Sequence, residues 1–258
     1  MTPRFALPTF LCPAPLRVAV GRVKDAGADA VRLDLRSELK PADLGPTAVR
    51  EVRHLIRSAG LAVGPAVYPT RGAVHHEDRL DARLRGLTAA VGSAGKLGCS
   101  TLTLRPFDVP GEDEETTRLV EVLTDLAAAG AKVGVVPCVT VAGDAGGWAR
   151  VLDEVTTGPV GVTLDPAAVL LGGGDPGEVA GIVRVLPDRV REVTVRDATA
   201  GRGGREVPAG RGDVDWEELL AVLDEAAFPG SLTPDRTAGP DPFAEAAAAI
   251  GTLRTLVR

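Results

Sequence analysis

The feature that most constrains the fold of this chain is an alternation, repeated eight times, between a short apolar run and a longer segment with helical spacing. Such an alternation is typical of a parallel sheet whose strands are connected by helices. Eight units in 258 residues match the usual size of one (β/α)8 barrel. We therefore predict an α/β fold, a single (β/α)8 TIM barrel with residues 1–258 as one domain. The predicted strands are Arg4–Phe10, Ala30–Arg36, Leu61–Tyr68, Thr101–Arg105, Lys132–Val139, Val160–Asp165, Val190–Arg196 and Ser231–Asp235.

An open, doubly wound sheet is the alternative for the same alternation. The number of units, the chain length and the absence of a GxGxxG turn after the first strand favour the barrel. Three helix starts carry clear signals, at Asp175-Pro176, Asp215 and Asp241-Pro242. Aspartate is a preferred N-cap residue, and proline is tolerated at the first helical position.

Composition and charge exclude several classes of function. The formal net charge is -6, which argues against nucleic acid as a partner because such a partner favours a basic face. The three cysteines, Cys12, Cys99 and Cys138, form no CxxC pair, as expected of reduced thiols in the cytosol. The apolar stretch Phe5–Leu16 contains three prolines, and no apolar run reaches the length of a membrane span. We therefore expect a soluble, cytoplasmic protein that does not bind membranes.

Five of the predicted strands place apolar residues on one side and polar residues on the other. In a barrel the apolar side packs on the helices, so the polar side faces the barrel axis. The inward set includes arginines and aspartates near the strand C-termini, where barrel active sites lie. These charges either form structural ion pairs that fill the barrel or line a pocket for a small anionic or polyhydroxylated ligand. The inward residues are Arg32, Asp34, Arg36, Thr101, Thr103, Arg105, Thr163, Asp165, Thr194, Arg196, Ser231, Thr233 and Asp235.

Several segments resemble the xylose-isomerase-like barrel family, which includes sugar phosphate isomerases and epimerases. The most specific segment is Val193–Trp216, which resembles the seventh strand of the family with the loop and helix start that follow. Shorter segments, Gly27–Leu33, Gly130–Pro137 and Val162–Pro166, resemble the second, fifth and sixth strands. The resemblance covers nearly the whole chain and implies a barrel that acts in carbohydrate metabolism.

The resemblance also implies a divalent metal held by Glu, Asp, His and Glu at the ends of strands five to eight. In this chain the corresponding residues are Val136, Asp165, Thr194 and Asp235, and Ala168 stands where a further histidine often occurs. Only Asp165 and Asp235 can act as metal ligands. They would hold Mg²⁺ or Mn²⁺ weakly, with waters completing the shell, or no metal at all.

Other chemically versatile side chains have simpler interpretations. We expect a surface or packing role for His54. We expect His75 and His76 to lie on a solvated loop before a helix, because adjacent loop residues lack a defined ligand spacing. Cys138 is predicted to be a small buried residue, since no histidine is placed to activate its thiol.

Two functional hypotheses remain open from the sequence. In the first, the protein is a sugar or sugar phosphate isomerase or epimerase in which Asp165 and Asp235 act as acid and base through an enediolate. In the second, the barrel is non-catalytic and binds a sugar-like or anionic ligand or a protein partner. An abasic-site endonuclease, a third hypothesis, disagrees with three histidines and a net charge of -6. The predicted substrate-binding residues are Arg32, Arg36, Arg105 and Arg196, and the oligomeric state is left unspecified.

Overall fold

A computed structural model describes residues 4–104 and 108–256 of the chain. Eight parallel strands close into a barrel in the order β1-β10-β7-β6-β5-β4-β3-β2, which confirms the predicted (β/α)8 TIM barrel. A separate two-stranded antiparallel ribbon pairs β8 with β9. The strands are β1 (Arg4–Pro8), β2 (Ala30–Asp34), β3 (Ala62–Tyr68), β4 (Thr101–Leu104), β5 (Val136–Val141), β6 (Gly161–Leu164), β7 (Val190–Val195), β8 (Asp197–Ala198), β9 (Glu206–Val207) and β10 (Ser231–Pro234).

Helices surround the barrel and connect its strands. Two helices instead of one separate β6 from β7. Short 3-10 helices at Thr9–Leu11 and Pro41–Asp43 follow β1 and β2. The α-helices are α1 (Leu16–Asp25), α2 (Pro46–Ser58), α3 (Leu80–Leu97), α4 (Asp113–Ala131), α5 (Ala145–Asp153), α6 (Pro166–Leu171), α7 (Pro176–Val185), α8 (Trp216–Glu225) and α9 (Pro242–Leu256).

The predicted helix starts agree with the structure. Asp175 caps α7 by accepting a hydrogen bond from the Gly177 N–H at 3.1 Å. Asp215 caps α8, and Asp241 accepts from the first turn of α9. These caps satisfy N–H groups that have no acceptor inside their own helices.

The fifth strand begins four residues later than the prediction Lys132–Val139. Val133 and Val135 donate backbone hydrogen bonds to the Gly130 carbonyl, so this segment closes α4 as a turn. Gly134 makes the turn possible because it adopts a positive φ of 69°. The strand starts at Val136, whose N–H donates to the Ser100 carbonyl.

The predicted register holds for Arg32, Thr103 and Thr163, which face the interior, whereas Arg36 lies beyond the end of β2 and not on the barrel axis. The apolar side of β2, with Val31 and Leu33, is fully buried against the surrounding helices. On the other side, the Thr103 and Thr163 hydroxyls meet at 2.8 Å across the barrel interior. Charged side chains from β2, β7 and the ends of β6 and β10 share this interior, and they form the candidate site described next. Within the described residues no helix is both long and apolar enough to cross a membrane.

Candidate functional site

Arg32 of β2 lies at the centre of a buried cluster of charges, the inner cluster, which consists of Arg32, Glu192 and Asp235. Its Nε is 3.0 Å from Glu192 Oε1, and its Nη1 is 3.0 Å from Asp235 Oδ2. The Glu192 side chain is fully buried and that of Arg32 is nearly so. One guanidinium group thus forms ion pairs with two carboxylates. These ion pairs offset part of the high cost of desolvating the three charges.

Glu192 is not among the predicted site residues, although the strand alternation places it on the same side as Thr194. Its carboxylate accepts hydrogen bonds from the hydroxyls of Thr103 at 2.5 Å and Thr163 at 3.3 Å. Glu192 therefore has both a cation and neutral donors around it, as a fully buried carboxylate requires. This arrangement fills the interior of the barrel beneath the residues at its carboxyl end.

A second set of charges, the outer network, lies at the carboxyl ends of the strands. Asp165 follows β6, and its Oδ2 is 2.5 Å from Arg196 Nη1. Arg196 Nη2 is 2.7 Å from Glu206 of the ribbon. Arg236 continues the chain of contacts, at 3.0 Å from Glu206 and 2.5 Å from Glu245. Carboxylates and guanidinium groups thus alternate along five residues from the barrel mouth to α9.

The electrostatics of the outer network favour the charged forms of Arg196 and Glu206. Burial alone would lower the pKa of Arg196, but Asp165 and Glu206 outweigh that effect and raise it. Burial alone would raise the pKa of Glu206, but hydrogen bonds from Arg196 and Thr237 outweigh that effect and lower it. Arg196 and Glu206 therefore favour their charged forms at neutral pH, and their pairing stabilises the folded state.

We expect Glu206→Gln to lower the free energy of unfolding at about pH 7 by about 2 kcal/mol, because it removes a carboxylate that accepts charge-assisted hydrogen bonds. The folded-state pKa of Glu206 lies below its unfolded value, so its stabilisation is present above the unfolded pKa. That stabilisation is lost as the pH falls through the folded pKa. Urea unfolding at about pH 7 and at about pH 3 tests this prediction. The difference in unfolding free energy between wild type and variant should be smaller at about pH 3.

The control for this measurement is Glu225→Gln, on an exposed position of α8. It should leave the unfolding free energy nearly unchanged at both pH values. A loss in Glu206→Gln that is equal at the two pH values would contradict an ionic role.

Asp235 lies between the two sets of charges. Its carboxylate contacts Arg32 of the inner cluster, and its Oδ1 accepts a hydrogen bond from the Arg236 N–H at 2.7 Å. Desolvation raises the pKa of Asp235, against the opposing effects of Arg32 and Arg196, and the like charge of Asp165 acts in the same direction as burial. A carboxyl group with a raised pKa near two guanidinium groups is suited to hold or transfer a proton.

Asp197 organises the loop that carries Glu206 toward the barrel mouth. Its fully buried carboxylate accepts hydrogen bonds from backbone N–H groups and from the Trp216 indole N–H at 3.1 Å. The backbone donors are Ala198, Gly210, Gly212 and Val214. Gly212 has no room for a side chain, because an added Cβ would lie 2.2 Å from Asp197 Oδ1. These contacts hold the segment from Asp197 to Trp216 together.

The structure separates the predicted site residues into three groups. Arg32 and Asp235 come together in the inner cluster, and Asp165 and Arg196 come together in the outer network. Arg36 lies apart from both, half-buried over the Tyr68 ring. Arg105 lies outside the described residues.

Three further predicted positions have structural roles. Asp34 is turned into its own loop, where it accepts from the Arg36 and Ser37 N–H groups at 2.6 and 3.0 Å. Cys138 is buried, and burial raises the pKa of its thiol well above the usual range, which fits the predicted packing role. His54 is exposed on α2, near Ser58.

The histidine pair after β3 differs in part from the prediction. His76 is exposed, as expected of a solvated loop, but His75 is buried. Burial lowers the pKa of His75, and His76 acts in the same direction. The two rings meet edge to face at 5.2 Å.

Comparison with known proteins places this barrel in a family. The family model for the xylose isomerase-like TIM barrel matches residues 20–256. The chain belongs to this family. A search among curated proteins found no match.

Solved structures of xylose isomerase-like barrels superimpose on nearly the whole chain. A xylose isomerase domain protein from Planctomyces limnophilus has a TM-score of 0.83 and 21% identity, with 98% of this chain and 96% of that chain covered. A barrel from Mycobacterium smegmatis, in complex with magnesium, has a TM-score of 0.79 and 12% identity, with 99% and 96% covered. A D-allulose 3-epimerase from Methylomonas sp. has a TM-score of 0.76 and 18% identity, with 99% of each chain covered. At these identities the likeness establishes the fold.

The residues at the mouth do not fit the divalent metal that the family resemblance implies. Asp165 and Asp235 are each bound by a guanidinium group, and the Thr194 hydroxyl donates to the Leu164 carbonyl at 3.1 Å. Across the described parts of the chain, no three His, Cys, Asp or Glu residues are arranged to hold a metal ion. In this xylose isomerase-like barrel, arginines supply the positive charge beside both aspartates.

The fifth strand requires a correction to the predicted ligand positions. Val136 is the first residue of β5, so it lies at the end of the barrel opposite the mouth. The shift of the strand described above is the reason for this error. Thr140, which pairs in register with the inward Thr163, is the corresponding residue nearer the mouth, and its hydroxyl donates to the Leu104 carbonyl. The prediction that β5 supplies no carboxylate to the site is correct, but the residue in the ligand position is Thr140 and not Val136.

Proposed function

We propose that the mouth of this barrel binds a sugar-like, polyhydroxylated ligand without the help of a divalent metal. One observation carries the proposal: both aspartates at the mouth are bound by arginines, yet Asp235 and Arg196 each keep about 15% of their side chain exposed. A carboxylate and a guanidinium group side by side offer acceptors and donors to neighbouring hydroxyls. In this proposal residues 1–258 act as one domain.

The family and its relatives support a carbohydrate ligand. Solved relatives include a D-allulose 3-epimerase and a D-psicose 3-epimerase studied in the presence of D-fructose. We place the protein in carbohydrate metabolism and in the cytoplasm, since its free cysteines Cys12, Cys99 and Cys138 are buried thiols suited to a reducing compartment. Asp235 and Arg196 are the proposed ligand-binding residues at the mouth, and the nearly buried Arg32 holds Asp235 in place.

Proton transfer beside a carbonyl is a second candidate function, favoured by the raised pKa of Asp235. In it Asp235 removes or returns the proton, and Arg196 stabilises the negative charge that develops on the oxygen. The Asp165 carboxylate is held by a hydrogen bond from the Ala168 N–H, and through its other oxygen it holds Arg196 in position. This mechanism uses the chain's own cations and requires no metal ion.

The metal-free proposal predicts that Mg²⁺ or Mn²⁺ raises the melting temperature by less than about 2 °C, since a larger shift would require a stabilising site worth more than about 1 kcal/mol. Calorimetry with D-fructose and D-allulose should detect binding in the presence of a chelator. Asp235→Asn should weaken that binding about tenfold, because a charge-assisted hydrogen bond is lost. The matched control is Asp188→Asn, at an exposed position outside the site.

The outcomes distinguish the two candidate functions. Incorporation of deuterium from heavy water into the bound ketose, lost in Asp235→Asn, would support proton transfer. Binding without deuterium incorporation would support the non-catalytic barrel. A shift of several degrees with a divalent ion, abolished in Asp165→Ala, would overturn the metal-free proposal.

A further inference from the structure

A pocket of about 440 Å³ lies on the rim of the barrel, away from the inner cluster and the outer network. It sits where β2 and β3 end and α3 begins, and so at the same end of the barrel as the mouth. We name it the rim pocket, and its relevant lining residues are Arg36, Tyr68, Arg71, Asp78, Arg79 and Arg83. Its volume lies in the range of small-ligand pockets.

The charge of the rim pocket is unusual for this acidic chain. Four arginines and a single aspartate line it, whereas the chain as a whole carries a net charge of -6. Within residues 4–104 and 108–256, none of the four arginines forms an ion pair with a carboxylate. Four guanidinium groups around one cavity repel one another, and an anion bound between them would relieve that repulsion. The rim pocket is therefore a site of positive charge that no ion pair among the described residues neutralises.

Two of the arginines are held in fixed positions. The Arg36 guanidinium lies 5.6 Å from the centre of the Tyr68 ring, and the Tyr68 hydroxyl packs against Gly86 of α3. Arg83 donates to the carbonyls of His76 at 2.5 Å and Asp78 at 2.7 Å. Fixed cations lose little conformational freedom when an anion binds, and this favours affinity.

The other two arginines, Arg71 and Arg79, are exposed. Arg79 precedes α3 with a φ of 55°, a left-handed conformation that is rare for a residue with a side chain. Arg79 is the N-cap residue of α3, an 18-residue helix. The first N–H groups of that helix have no acceptor within the helix. Ala82 of the first turn also lines the pocket. The helix terminus therefore adds to the positive potential of the four side chains.

We infer that the rim pocket binds a phosphate group. A phosphate monoester carries about two negative charges and three acceptor oxygens, which suits several convergent guanidinium groups better than one carboxylate does. The inference deepens the proposed function, on which its sugar part rests: the ligand is a phosphorylated sugar whose hydroxyls reach the barrel mouth. The rim pocket and the mouth both lie at the carboxyl end of the barrel, and the paired-sugar experiment below tests whether one ligand occupies both.

Titration calorimetry with inorganic phosphate tests the inference. Wild type should bind phosphate, and Arg36→Gln/Arg71→Gln should bind it at least about tenfold more weakly, because two charged donors are lost. The matched control is Arg53→Gln/Arg57→Gln, which removes two exposed arginines of α2 and should leave the affinity unchanged. A melting temperature equal to that of wild type shows that the double variant is folded. Phosphate binding that is absent, or equal in both double variants, overturns the inference.

A pair of matched sugars separates this inference from the proposed function. D-fructose 6-phosphate should bind at least about tenfold more tightly than D-fructose, and the difference should disappear in Arg36→Gln/Arg71→Gln. If phosphate binds and D-fructose does not, the rim pocket stands and the sugar site at the mouth fails. If D-fructose binds and neither phosphate nor the phosphorylated sugar gains from the rim arginines, the rim pocket fails alone.

Discussion

Replacing Arg32 with methionine is expected to lower the free energy of unfolding by about 3–5 kcal/mol, the usual cost of removing one partner from a buried ion pair. The variant leaves Glu192, which is fully buried, without its cation. Asp235 also loses its contact at 3.0 Å. Methionine keeps much of the apolar volume of the arginine stem, so the loss reports mainly on charge. Urea unfolding monitored by circular dichroism measures it.

Two companion variants make the interpretation of Arg32→Met secure. Arg57→Met changes an exposed arginine of α2 and should shift the free energy by no more than about 0.5 kcal/mol. Glu192→Gln in the Arg32→Met background should recover at least about 1 kcal/mol, because a neutral amide needs no cation. A loss below about 1 kcal/mol in Arg32→Met would show that the inner cluster contributes little.

Asp197→Ala is expected to lower the free energy of unfolding by about 3 kcal/mol or more, since a buried carboxylate that accepts several hydrogen bonds is lost. The donors left without an acceptor include Gly210, Gly212 and the Trp216 indole. The total stays below the sum of the individual bonds, because the opened loop can hydrate its N–H groups. Urea unfolding measures the loss, and tryptophan fluorescence in a Trp148→Phe background reports on the loop through Trp216.

The effect of Asp197→Ala should extend to the mouth of the barrel. The loop that Asp197 holds carries Glu206, and Glu206 holds Arg196. Ligand binding at the mouth should therefore weaken in Asp197→Ala as well, although Asp197 is not among the proposed ligand-binding residues. Asp188→Ala, at an exposed position, is the control for removal of an acidic side chain. Stability within about 1 kcal/mol of wild type would contradict the organising role.

Much of the fold follows from patterns that are local in the sequence. The eightfold alternation predicts the barrel, and the period-two patterns predict which side of each strand faces inward. The caps at Asp175, Asp215 and Asp241 depend on neighbouring residues alone and are confirmed. The error at β5 arose because the segment before it is as apolar as a strand, whereas the positive φ of Gly134 makes it a turn.

The candidate site was harder to predict because its partners are distant in the sequence. Glu192 obeys the alternation, but its pairing with Arg32 joins residues 160 positions apart. Glu206 and Arg236 lie beyond the strands, where no periodic pattern indicates direction. The rim pocket depends on a loop between β3 and α3 and on Arg36, which the alternation alone assigned to the barrel axis.

The link between Arg196 and Asp165 has a consequence for how the protein depends on its surroundings. The occupancy of a metal site follows the concentration of the free ion, and a chelator removes the ion. The Arg196 guanidinium is part of the chain, and its environment raises its pKa further. Its charge is therefore present as soon as the barrel is folded, whatever metals the surroundings supply. Asp165 and Glu206 set the position of the Arg196 guanidinium. Exchange of one metal ion for another therefore cannot change the charge at the mouth.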